Sequence, residues 1–181
     1  MVPRGFGKTK LISFGFIIWA VAFQHYQYVL HISNNLEEKG EQIMRDLQRG
    51  FKSKIFVKLF GDWQGKFWGK HKIHLYSERW RIDCVIEMRG WDQSVFGASE
   101  WKSRPDLIII DDAEDLKSVR NKDLIMQMLE KFKTEIIPAA ETKDSNGRRA
   151  KIIAIGTPLA PSTFLTILAS KEWKEYVEVL K

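Results

Sequence analysis

Apolar positions along the chain follow two patterns that alternate. Short, continuous apolar runs rich in β-branched residues occur at "YVLHIS" (Tyr28 to Ser33), "PDLIIIDD" (Pro105 to Asp112) and "AKIIAIG" (Ala150 to Gly156). These predict buried strands, because a strand covered on both faces has no polar side. Helical spacing stands between them. Thr9 to Gln24 is apolar nearly all round, which predicts a helix packed on most sides. Leu36 to Arg49 sets Leu36, Ile43, Met44 and Leu47 on one face and Glu37, Glu38, Glu41 and Arg45 on the other, and Lys122 to Glu141 carries Leu124, Ile125, Met128, Leu129, Phe132 and Ile136 at helical intervals. "KIHLY" and "RIDCVIEM" predict an antiparallel strand pair around 72–88, joined by a turn near Ser77 and Glu78. Gly61 to Gly69 and Gly90 to Arg104 are expected to be loops, "KDSNGRR" a turn, and Pro161 with Ser162 the start of a last helix. Strands alternating with helices predict an α/β fold: one domain over 1–181, with a mostly parallel sheet and helices on both faces.

Composition narrows the class. With 181 residues, 44% hydrophobic and 29% charged, the chain can bury a core and is neither disordered nor fibrous. Its 29 Lys and Arg against 23 Asp and Glu leave a net charge of +6, which permits a polyanionic partner without requiring one. Cys84 is the single cysteine, so no disulfide or Cys-rich metal site can form within one chain, as suits a reducing cytoplasm. The longest apolar run, Leu11 to Phe23, is 13 residues, short of the roughly 20 that cross a bilayer. No membrane partner is expected. Lys66, Lys70, His71 and Lys72 interleave with Trp63, Phe67 and Trp68, a pattern that suits nucleic-acid contact but fits tryptophans packed on a core better. His25, His31 and His74 share no ligand spacing.

Three stretches carry chemistry. "PRGFGKT" (residues 3–9) opens the apolar helix with Gly5, Gly7, Lys8 and Thr9. Glycines let backbone N–H groups approach phosphate oxygens, a lysine meets the β and γ phosphates, and a threonine hydroxyl can face Mg2+ at a helix N-terminus that favours anions. The match to a phosphate loop is partial, since Val2 stands where the pattern has its first glycine. "LIIIDDAED" (Leu107 to Asp115) runs a buried strand into a cluster of acids, as a Walker B strand delivers carboxylates to a metal. Asp111 is the candidate metal ligand, and Asp112 or Glu114 the residue that orients attacking water; a simple acidic helix cap is the competing reading. "IIAIGTPL" ends a third apolar strand in Gly156 and Thr157, placing a hydroxyl at the carboxyl edge of the sheet where open α/β folds bind ligands.

Taken in order, "PRGFGKT", "MRG" (Met88 to Gly90), "RPDLIIIDDAED" and "IIAIGTPL" resemble the ATPase domain of the large terminase subunit of tailed bacteriophages, over nearly the whole chain. The resemblance implies a P-loop NTPase-like fold of the ASCE type, with a Walker A loop at 3–9, a Walker B strand at 107–112 and a coupling motif at 156–158. It implies ATP hydrolysis with Mg2+. In that reading Arg4, Gly5, Gly7, Lys8 and Thr9 hold phosphates, Thr9 and Asp111 hold the metal, and Thr157 senses the γ-phosphate. Arg89 or Arg104 would be an arginine that completes a neighbouring subunit's site. The likeness further implies double-stranded DNA, a portal protein and a small terminase subunit as partners, a homo-oligomeric ring, and a place in the host cytoplasm docked on the procapsid. A nuclease domain downstream and a strand leading into the loop would lie outside the chain, because Met1 to Pro3 is too short to be that strand. A helicase-like DNA translocase and a non-catalytic prophage remnant remain open as alternatives.

Overall fold

The computed structural model describes residues 7–24, 26–95, 104–114, 121–140, 149–157, 162–170 and 177–180. Helix α1 is π-helical over Lys10–Phe16 and α-helical over Ile17–Gln24. Strand β1 is Tyr28–Ser33; α2 follows, π-helical over Leu36–Gly40 and α-helical over Glu41–Phe51; α3 is Lys54–Phe60. Then come β2 (Gln64–Trp68), β3 (Lys72–Ser77), β4 (Ile82–Gly90) and β5 (Leu107–Asp111). Helix α4 runs through Lys122–Lys131, a π-helical Phe132–Ile136 and a last turn Ile137–Ala139, and is followed by β6 (Lys151–Ile155), α5 (Phe164–Leu168) and β7 (Val177–Leu180).

The strands form one sheet in the order β2-β3-β4-β1-β5-β6-β7. Every pairing from β4 through β7 is parallel, and β2-β3 and β3-β4 are antiparallel. The chain is therefore an α/β protein with a mostly parallel sheet, and the expected antiparallel pair around 72–88 is present. Side-chain alternation splits the sheet into two buried layers. On one face Val29, Ile86, Leu107, Ile109, Ile153 and Ile155 pack under α1, α2 and α3. On the other, Leu30, Ile32, Ile108, Ile110, Ile152 and Ala154 pack under α4 and α5. Burying both faces explains why the central strands read as unbroken apolar runs. Among the described residues no helix is long and apolar enough to cross a membrane. Of the run from Leu11 to Phe23, Ile17, Ala20, Val21 and Ala22 are buried in the first layer while Leu11, Trp19 and Phe23 are exposed, so α1 is covered on one side and not on most sides as its composition predicts.

Local signals set the element ends. Asn35 accepts from the Glu38 amide to start α2, Ser53 caps α3 through Phe56, and Asn121 caps α4 through Asp123 and Leu124. Asp106, just before β5, accepts from the Gln27 and Tyr28 amides at 2.8 and 2.9 Å, which aligns the entry of β1 with that of β5. Glu87 is buried in the second layer. Burial alone would raise its carboxyl, but hydrogen bonds from Tyr28, Arg89 and Lys72 outweigh that and hold it below the usual range.

Three elements depart from the sequence reading. Residues 61–69, expected to be a loop, contain strand β2. It pairs irregularly with β3, and its mix of exposed and half-buried positions hides the alternation that marks a strand. Trp63, just before β2, is 1% exposed and packs edge-on against Phe56 among Phe51 and Phe60; this tryptophan belongs to the core. Helix α3 and strand β7 had no sequence expectation. The loop expected from Gly90 to Arg104 and the turn "KDSNGRR" lie largely outside the described residues, as does Pro161.

Gly65 in β2 lies beneath the imidazole of His74, which is fixed by the Lys66 amide at 2.9 Å and Asp83 at 2.8 Å. A Cβ at this position would stand 2.2 Å from His74 Nδ1. Gly65→Ala is expected to destabilise the fold by about 1–3 kcal/mol through this overpacking. Urea unfolding of the two proteins checks this; equal midpoints would show that the hairpin yields freely.

Candidate functional site

The site forms at the carboxyl ends of β1, β5 and β6. From β1 the chain passes over the first face to reach β4 on one side, and from β5 it passes over the second face to reach β6 on the other. The sheet therefore has its switch point between β1 and β5, where open α/β sheets leave a crevice for ligands. A pocket of about 290 Å³ lies there, lined by Thr9, Ser33, Glu38, Lys39, Gln42, Ile43, Asp111 and Asp112.

Helix α1 delivers the first groups. Gly7 has φ +71, in the left-handed region that glycine tolerates without strain, and its carbonyl accepts from the Leu11 amide at 2.8 Å as the helix begins. Lys8 Nζ donates to the Gly156 carbonyl at 2.9 Å and to Thr157 Oγ1 at 3.3 Å. Thr9 Oγ1 donates to Asp111 Oδ1 at 3.2 Å. One turn further on, Ser13 Oγ donates to Asp111 Oδ2 at 2.8 Å and lies 2.9 Å from His31 Nε2. The three sequence motifs thus meet within hydrogen-bonding distance, although about 100 to 150 residues separate them in the chain.

Electrostatics single out Asp111. It is 4% exposed, and burial pushes its carboxyl up to about 6, opposed by the Ser13 hydrogen bond, raised further by neighbouring Asp112, and opposed again by Thr9 and Lys39. Asp112 has φ 47, so the chain leaves β5 through the left-handed region, which Asp tolerates better than most residues. Its amide donates to Ile155 O at 3.0 Å and its carboxylate meets Lys39 Nζ at 3.2 Å, both side chains half exposed. His31 is fully buried on β1, and burial pushes its imidazole down to about 4, so it is neutral.

Glu114 points elsewhere. Its carboxylate accepts from the Phe164 and Leu165 amides and from Thr163, so it caps α5, and burial raises its carboxyl. Together with Asp112, Gly156 and Thr157 it lines a second cavity of about 20 Å³, room for one water molecule. Arg89 is on the opposite face of the sheet from Asp111, bound to Glu87 at 2.7 Å and to the Ser94 carbonyl. Arg104 is exposed and donates to Pro138 O at 3.0 Å, at the end of α4. Neither arginine joins the cluster within this chain. Arg4, Gly5 and Pro158 lie outside the described residues.

The donor set suits a small hard cation. Thr9 and Asp111 offer converging oxygens, and an ionised buried carboxylate gains from a nearby positive charge. Among the described residues no group of three or more His, Cys, Asp or Glu could hold a metal unaided. Phosphate oxygens and water would have to complete the shell, as is usual for Mg2+. Sequence reasoning missed Ser13, His31 and Lys39. Ser13 follows Thr9 by one helical turn and was detectable as the lone hydroxyl inside an apolar helix; the other two carried no signal. Comparison with protein-family models finds no match, and comparison with curated protein sequences finds none of significant similarity.

The shifts of Asp111 and His31 pull stability in opposite directions with pH. Asp111 is held above its ordinary 3.8, so its contribution favours folding at low pH and is lost as pH rises through about 6. His31 is held below 6.5, so its contribution is present above that value and lost as pH falls through about 4. Between these values the two slopes offset each other. Asp111→Asn should leave a protein that gains stability as pH rises across this window, and His31→Leu one that loses it, each by on the order of 2–3 kcal/mol. Urea melts of the two variants across the window test this, and parallel curves would contradict it.

Proposed function

We propose that the chain is an ATP-hydrolysing P-loop domain of the ASCE type, the motor domain of a phage terminase large subunit that drives double-stranded DNA into a procapsid. The observation that carries the ATPase reading is the meeting of Lys8 with Gly156 and Thr157, and of Thr9 with Asp111, at the switch point of the sheet. The order of the motifs in the chain supports the terminase assignment. Double-stranded DNA, the portal protein and the small terminase subunit are then the partners, a ring of copies is the working form, and the host cytoplasm is the setting.

In this reading each group has a distinct task. Lys8 is seated on Gly156 and Thr157, and on nucleotide binding its ammonium turns from these oxygens to the β and γ phosphates. Thr9 and Asp111 would hold Mg2+, which would supply positive charge to the phosphates. Gly7, with Arg4 and Gly5 ahead of it, supplies loop backbone to phosphate oxygens.

Of the two acids that could orient the attacking water, Asp112 is better placed. Both acids border the water-sized cavity, but both Glu114 oxygens are occupied by α5 amides, while among the described residues the Asp112 carboxylate meets an exposed lysine. Glu114 instead links the end of β5 to α5, so a shift at Asp111 and Asp112 on hydrolysis would reach the helix that follows the coupling segment. Thr157, released by Lys8, senses the γ-phosphate. Arg89 and Arg104 could act only on a neighbouring copy, and Arg104, exposed and held by one carbonyl, is the freer to do so.

Purified protein is expected to hydrolyse ATP in a Mg2+-dependent manner. Lys8→Ala and Asp111→Ala should each lower kcat/KM by about 100-fold or more, a loss of at least ~2.7 kcal/mol of transition-state stabilisation. Steady-state phosphate release with circular dichroism as a folding control measures this. Turnover unchanged in both variants would overturn the ATPase reading.

A further inference from the structure

We infer that His31 and Ser13 are positioning residues for Asp111, acting as a directional hydrogen-bond relay that fixes the carboxylate for metal binding. The inference rests on the ATPase reading for its purpose, but its geometry stands independently. His31 is fully buried on β1, in a layer otherwise built from Val29, Leu107, Ile109 and the apolar face of α1. Ser13 is likewise fully buried. A histidine and a serine facing each other in such a layer cost desolvation that apolar residues would avoid.

The hydrogen atoms available dictate the direction of the relay. Ionised Asp111 can only accept, and Ser13 Oγ stands 2.8 Å from Asp111 Oδ2, so the single hydroxyl proton of Ser13 is committed to the carboxylate. His31 Nε2, 2.9 Å from the same oxygen, must then be the donor. His31 Nδ1 is buried without a hydrogen-bond partner, as an unprotonated ring nitrogen of a neutral imidazole. The opposite tautomer would make Nε2 an acceptor that competes with Asp111 for the one Ser13 proton. Through the relay Oδ2 is tied down and Oδ1 is left towards Thr9 and the pocket. A carboxylate held in one rotamer presents one oxygen to a cation at little ordering cost.

Two measurements test the relay. A long-range proton-nitrogen correlation spectrum of the imidazoles at about pH 8, without nucleotide, should show His31 as the neutral Nε2–H tautomer, and its Nε2 signal should shift in Ser13→Ala. The Nδ1–H tautomer, or a signal indifferent to Ser13→Ala, would overturn the inference. In the hydrolysis assay, Ser13→Ala and His31→Leu should raise the Mg2+ concentration for half-maximal rate about tenfold, with KM for ATP at saturating Mg2+ changed less than about twofold. His31→Gln, whose amide nitrogen stands as far along the side chain as Nε2, should recover most of the Mg2+ response. A uniform loss in all three variants would mark a merely structural role and also overturn it. If the parent protein hydrolyses no ATP, the ATPase reading falls, and the imidazole spectrum still decides the relay.

Discussion

The site depends on keeping a carboxylate ionised where burial opposes it. Asp111 ends a strand covered on both faces and is 4% exposed, so water solvates its charge poorly. Hydrogen bonds to charged groups are worth about 1.5–3 kcal/mol each, and Asp111 receives two, from Thr9 and Ser13. These offset burial only in part, and the carboxyl titrates at about 6. Both donors sit on α1, one turn apart. The same pair of bonds that steadies the charge therefore docks the start of α1 over β1 and β5 and brings Lys8 to the end of β6.

The two faces of the sheet divide the work. The α1 face carries Thr9, Ser13, His31 and Asp111 around the switch point, while the α4 face carries the network of Tyr28, Lys72, Glu87 and Arg89. Glu114 joins the two by capping a helix of the second layer from the end of the strand that carries the site. Such a cap gives a small displacement of β5 a direct route into α5.

What the sequence disclosed follows from the range of each signal. Continuous apolar runs marked β1, β5 and β6, and helical spacing marked α1, α2 and α4, because burial on two faces or one imposes those periods. Lys8, Thr9, Asp111 and Thr157 were visible since each sits where its motif demands a particular residue type. Strand β2 was obscured by Gly65 and by its irregular pairing with β3, which leaves exposed and half-buried positions without a buried face, and seven-residue α3 is too short to display a period. His31 was unreadable for a different reason. Its role comes from register, which sets it beside Ile109 and one pleat from the Asp111 pairing, and register between distant strands is not written in any local pattern.

The proposed function stands on Lys8, Thr9 and Asp111 forming a nucleotide site. The most direct measurement is a crystal structure of the protein with Mg2+ and a non-hydrolysable ATP analogue. Lys8 Nζ is expected to leave Gly156 and Thr157 for the β and γ phosphates, with Mg2+ bound beside Thr9 and Asp111. Phosphates bound away from residues 7–9, or Lys8 unmoved beside a bound nucleotide, would contradict it.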